Sequence, residues 1–176
     1  MALSKNVGSF VAPNSTASPV NISLGSGFDP KIALFWVTPK STADGSNTSA
    51  GIAFGYALVT GEKGSVSVLS AHSAATSSTY IIQRNDYAIA RATSGGIAFR
   101  ANVSAWNSDS IDITITTADA NQRIVNYLIL GGSDIEQVAG FTIQCPAAAG
   151  NQDHSLAWQP DAFIAFCGSL NASNQT

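Results

Sequence analysis

Ser110-Ile111-Asp112-Ile113-Thr114-Ile115-Thr116 decides the fold class of this chain. Three isoleucines alternate with an aspartate and two threonines. An extended strand puts the isoleucines on one face and the polar groups on the other, whereas a helix scatters them around its circumference. Val66 and Val68 alternate with Ser65, Ser67 and Ser70 in the same sense. Ile32 to Val37 and Tyr127 to Leu130 are continuous apolar runs instead, the pattern of central strands covered on both faces.

Working outward, strand patterns recur at 7–11, 20–24, 31–37, 52–58, 65–70, 79–84, 87–92, 96–103, 110–116, 124–130, 137–144, 155–158 and 162–167. Turn residues separate them, as in Asp44-Gly45, Gly61-Glu62-Lys63-Gly64, Ser94-Gly95-Gly96 and Gly131-Gly132-Ser133-Asp134. Pro13, Pro19, Pro30, Pro39, Pro146 and Pro160 fall at strand edges or turns, where a missing N–H costs least. No segment of ten or more residues keeps a helical period, and 119–124 fits a single turn. Short strands at this spacing predict an all-β chain: an antiparallel two-sheet sandwich, jelly-roll-like, with little or no helix.

The end of the chain repeats its beginning. Phe10 and Pro30 return as Phe141 and Pro160, and Phe28 before Pro30 returns as Trp158 before Pro160. Each copy reads as an aromatic plug, a proline stop and a buried strand. Residues 1–176 are expected to form one sandwich domain in which 7–38 resembles 138–168. The second copy is expected to lie beside the first. The predicted core is Ile32, Leu34, Trp36, Phe54, Val66, Val68, Ile81, Ile113, Ile115, Leu128, Leu130, Phe163 and Phe166.

Composition narrows the function. Charged residues make up 11% of the chain, less than half of the usual ~25%. That poverty points to surface buried between subunits or on a large body; a secreted protein with a Ser/Thr-rich surface is the alternative. The net charge is −3, and no two of the eight Lys and Arg residues are adjacent, so nothing tracks a phosphate backbone and no nucleic-acid partner is expected. No run approaches the ~20 apolar residues of a membrane span, and Met1 to Asn6 lacks an apolar signal core. Synthesis in a cytoplasm is expected.

No residue announces a reaction. Cys145 and Cys167 sit among apolar neighbours and read as buried thiols. His72 and His154 lack the partners a metal or a general base requires. Asp134 and Glu136 could share one strand face as a carboxylate pair, and loops near Asp44 or Asp134 could take calcium, but no calcium motif supports it. A Gly-x-Ser-x-Gly elbow is absent. Neither enzyme activity, cofactor nor metal is therefore expected. Trp106 with Asn107 and Asp109 forms a polar turn that could stack and hydrogen-bond a sugar; a tryptophan closing the end of the sandwich is the structural alternative.

The stretches SLGSGFDPKIALFW, GIAFGYALVTGEKGSVSV and SLAWQPDAFIAFCG resemble structural proteins of tailed-bacteriophage particles, among them capsid cement (decoration) proteins and fibre-type β-domains. The specific content lies in the two aromatic-x-Pro strands and in Phe54-Gly55-Tyr56. The resemblance implies a sandwich, oligomeric assembly (trimers in many cement proteins), a virion location on the capsid surface, and the major capsid protein or other virion proteins as partners. Contacts are expected through Met1 to Asn6, including Lys5, and through 41–50, including Asp44. The alternative is a carbohydrate-binding fibre or lectin-type domain for host attachment, with Trp106 as its platform.

Overall fold

The computed structural model describes residues 3–16, 19–38, 50–71, 78–143, 150 and 153–165. Ten strands appear in them: β1 (Ser4–Val11), β2 (Val20–Ser23), β3 (Pro30–Val37), β4 (Ala50–Leu58), β5 (Lys63–Ala71), β6 (Ser78–Arg84), β7 (Ile89–Thr93), β8 (Gly96–Asn107), β9 (Ser110–Thr117) and β10 (Ile124–Gly131). The first ten expected strands all form, with ends shifted by a few residues. They build two antiparallel sheets, one ordered β1-β10-β3-β4-β5-β6 and one ordered β2-β9-β8-β7. β9 carries the opening stretch as expected: Ile111, Ile113 and Ile115 are buried and face the six-stranded sheet's Phe35, Val37, Val125 and Ile129 within one core.

The side of β3, β4 and β10 that faces this core differs from expectation. Ala33, Phe35 and Val37 point inward, while Ile32, Leu34 and Trp36 are only half-buried on the opposite face. Register carries the same parity across the sheet: Phe54 pairs with Trp36, and Leu128 with Leu34. Phe54, Leu128 and Leu130, with Val68 and Ile81, therefore lie outward and half-buried, not in the core. The reason is packing distance. Ala53, Gly55 and Ala57 on the inner face of β4 are small, and β7, with Ala88 just before it, lies directly against β4 and β5. A Cβ on Gly55 would fall inside the Ala88 carbonyl oxygen's contact radius. A larger inner face would force the sheets apart.

One polar group ties the sheets where they meet. The Ala92 amide of β7 donates to Ser67 Oγ of β5 at 3.0 Å, both residues being buried. Ser67→Ala removes the acceptor and strands a buried N–H, which costs about 1–3 kcal/mol. Urea unfolding should show that loss; a change within about 0.5 kcal/mol, the range of a neutral surface substitution, would mean the amide finds another partner.

After β10 the described chain has no strand. The described parts of 137–144, 155–158 and 162–167, expected as strands, are irregular, and no ladder joins them to β1 or β3. Phe163, expected in the core, is 68% exposed. The apolar pattern is there, but a strand needs a neighbour for its amides, and β10 already occupies the space between β1 and β3. Part of this segment instead lies over the outward face, where Gly140 is packed too close to Tyr56 and Leu58 to admit a Cβ. Phe166, Cys145, Cys167, His72, Asp44 and the rest of 41–49 lie outside the described residues.

Candidate functional site

The β8–β9 hairpin brings Trp106, Asn107 and Asp109 together at one end of the sandwich. Trp106 is half-buried and packs against the core. Asn107 Nδ2 donates to Ser110 Oγ at 3.1 Å. The Asp109 carbonyl accepts the Leu24 amide at 2.7 Å, and the neighbouring Ser108 carbonyl accepts that of Asp29 at 2.9 Å. The turn thus clamps the β2–β3 connection to the end of the sandwich. Lys5 stands apart from this turn, near the start of β1 in the six-stranded sheet, paired with Leu130 of β10.

Two clusters escaped the sequence reading. In the first, Asp119 between β9 and β10 is buried with Arg91 of β7. Asp119 Oδ2 accepts from Arg91 Nη1 at 2.8 Å and from Arg123 Nε at 2.9 Å, while Oδ1 accepts the Asn121 amide at 2.9 Å. Burial pushes the Asp119 carboxyl up. The Arg123 and Asn121 hydrogen bonds and the charges of Arg123 and Arg91 outweigh it and hold the group below its ordinary range. Burial, then the charge of Arg123, pulls Arg91 down against the opposing pull of Asp119. A carboxylate so thoroughly bonded is a poor proton shuttle or nucleophile; it fixes geometry.

In the second cluster two guanidinium groups stand over the Tyr87 ring, Arg100 at 5.3 Å and Arg84 at 5.7 Å from its centroid. Arg84 grips Asp86 through two hydrogen bonds. The hydrogen bond to Arg84 is the main cause that holds the Asp86 carboxyl below its ordinary range. Asn102 accepts the Ala88 amide at 2.8 Å and donates to the Asp86 carbonyl at 3.1 Å. The group pins the crossing from β6 to β7. Arg84-Asn85-Asp86-Tyr87 is a local signal for it, but Arg100 and Asn102 arrive only through the β7–β8 pairing.

A half-open groove of about 260 Å³ lies where the segment after β10 meets the β4–β5 turn, walled by Trp158, Val59 and Val138 and rimmed by Lys31, Glu136 and Gln137. Lys31 is also paired with Asp29 at 2.8 Å. Asp134 lies in a turn and Glu136 in irregular chain, so the two carboxylates share no strand face. His154 stacks on Phe141 with ring centroids 3.6 Å apart. Among the described residues no three His, Cys, Asp or Glu side chains gather as a metal site. Comparisons with family models, with curated proteins and with solved structures found no match for this chain.

Proposed function

We propose that the chain is a non-enzymatic structural protein of a virus particle, a capsid cement or decoration protein that binds the outer shell and stabilises it. The observation that carries the assembly reading is the edge strand β1. Val7 and Val11 stand 65% and 54% exposed along it, Leu3 just before it is 60% exposed, and Lys5 is its only charge. Open edges in solitary proteins are normally blunted with charge, proline or a bulge. An edge strand that exposes Val7 and Val11, with Lys5 as its one blunting charge, suits a strand covered by another protein. Low overall charge and side-chain clusters committed to holding the fold agree with that reading; the particle itself is supported by the sequence resemblance. The major capsid protein is the proposed partner, with a trimer of this chain as the working assembly.

Val7→Asp and Ile52→Asp, on exposed outward positions, should each change stability by less than about 0.5 kcal/mol. Val7→Asp should nevertheless abolish retention on purified particles, and particles lacking the protein should rupture at lower temperature. Quantitative mass spectrometry of virions decides the location: hundreds of copies per particle are expected, and a dozen or fewer would sink the cement reading in favour of a fibre. The groove at Trp158 gives the glycan alternative a better platform than Trp106. Sugar-dependent tryptophan quenching lost in Trp158→Ala and kept in Trp106→Ala would favour it.

A further inference from the structure

The second copy of the opening motif has the sequence pattern of β1 to β3, but its described residues form no strand. Phe141 stands at the position of Phe10, Ser155-Leu156 at Ser23-Leu24, Trp158 at Phe28 and Pro160 at Pro30. In the first copy the two outer strands flank β10, with β1 on one side and β3 on the other. There Phe28 is buried, as is Ala33. In the second copy Phe163 and Ile164, at the positions of Ala33 and Leu34, are 68% and 57% exposed, and Ile143 is 40% exposed. Sequence pattern and observed state therefore disagree over one segment, and what is missing there is the central strand.

We infer that 138–143 and 160–165 form a strand clasp, two strands that order around a third supplied by a partner β-sheet. Such strand addition takes affinity from main-chain hydrogen bonds and specificity from alternate side chains. The first copy specifies the strand that fits. It is an extended apolar segment about as long as β10, ending in glycine, because the Phe28 and Asp29 carbonyls crowd Gly131. One position sets the partner apart from this chain's own β10. Gly8 lies directly against the Tyr127 phenol, so a Cβ there would force the ring to shift. The second copy has Ala139 where the first has Gly8. The clasp therefore disfavours a strand with tyrosine at that point and favours one with alanine or glycine. Its partner is a sheet of the same build with a small residue opposite Ala139, not the β10 of a second copy.

Hydrogen exchange on the intact chain tests this with two soluble lysine-tagged peptides spanning 123–132, one with Tyr127 and one carrying Tyr127→Ala. Alone, the chain should exchange 138–143 and 160–165 at unprotected rates while β3 and β10 stay protected. The Tyr127→Ala peptide should slow exchange in 138–143 and 160–165 by at least about ten-fold, and the tyrosine peptide should bind at least about ten-fold more weakly. Ala139→Gly, at an exposed position, should restore binding of the tyrosine peptide. Protection of the segment without any peptide would overturn the inference. So would equal binding of both peptides by the unaltered chain, slowing confined to β1 and β3, or no slowing by either peptide.

Discussion

Asp119→Ala is expected to remove about 3–5 kcal/mol of stability, the cost of stripping one partner from a buried ion cluster. The side chains of Arg91 and Arg123 are only 10% and 12% exposed beside it. Without the carboxylate, two guanidinium groups share a poorly solvated site and repel each other. The cluster ties β7 of one sheet to the start of β10 in the other, so the loss should appear as a lower urea midpoint with an unchanged slope. Asp119→Asn keeps the shape and loses the charge, and it should recover only a small part of the loss. A loss below about 1 kcal/mol for the alanine variant, the level of an exposed ion pair, would show that water replaces the carboxylate.

The same group sets a pH dependence. Its folded-state pKa lies below the usual carboxylate value, so the folded protein binds fewer protons than the unfolded chain near that value. The stabilisation is complete above about pH 4, the unfolded value, and is lost as pH falls through the depressed folded value. Thermal melts from about pH 5 downward should show a falling midpoint in the unaltered protein and a flatter curve in Asp119→Asn. Parallel curves would assign the acid sensitivity to other carboxylates.

Gly55→Ala is the second large effect, on the order of 3 kcal/mol, at the top of the range for overpacking. The added methyl meets the Ala88 carbonyl, which is backbone and cannot rotate away. β7 must then move off β4, and the Ser67 to Ala92 hydrogen bond opens with it. Gly95→Ala is the control: nothing lies within 4 Å of a Cβ there, and it should stay within about 0.5 kcal/mol of the parent. Equal unfolding midpoints for the two variants would refute the close approach of β7.

Ile111, Ile113 and Ile115 show what was legible from the chain alone. Alternation with Asp112 and Thr114 is a local property, so the strand and its inner face could be read at once, with Ile113 and Ile115 in the core. The β3 run from Ile32 to Val37 shows the limit. Every side chain in it is apolar, and a period of two has no phase when both alternatives are greasy. Choosing the larger residues for the core gave the wrong face, because the inner face had to be thin where β7 crosses. The candidate site residues behaved likewise. Trp106, Asn107 and Asp109 are neighbours in sequence and share one hairpin, but that Trp106 packs partly against the core depends on the other sheet. Arg91 and Asp119 are 28 positions apart, and nothing local couples them.

Sequence by itself determined that this is a chain of short strands, where they turn, and that its opening motif returns near the end. These follow from residue spacing, since side-chain alternation, glycine turns and proline stops act within a few positions. Tertiary structure alone decided which face of β3, β4 and β10 looks inward, which charges meet, and that the described residues of the second copy join no ladder. Each depends on what stands opposite a residue across a sheet or between sheets, and that neighbour is chosen by the whole fold.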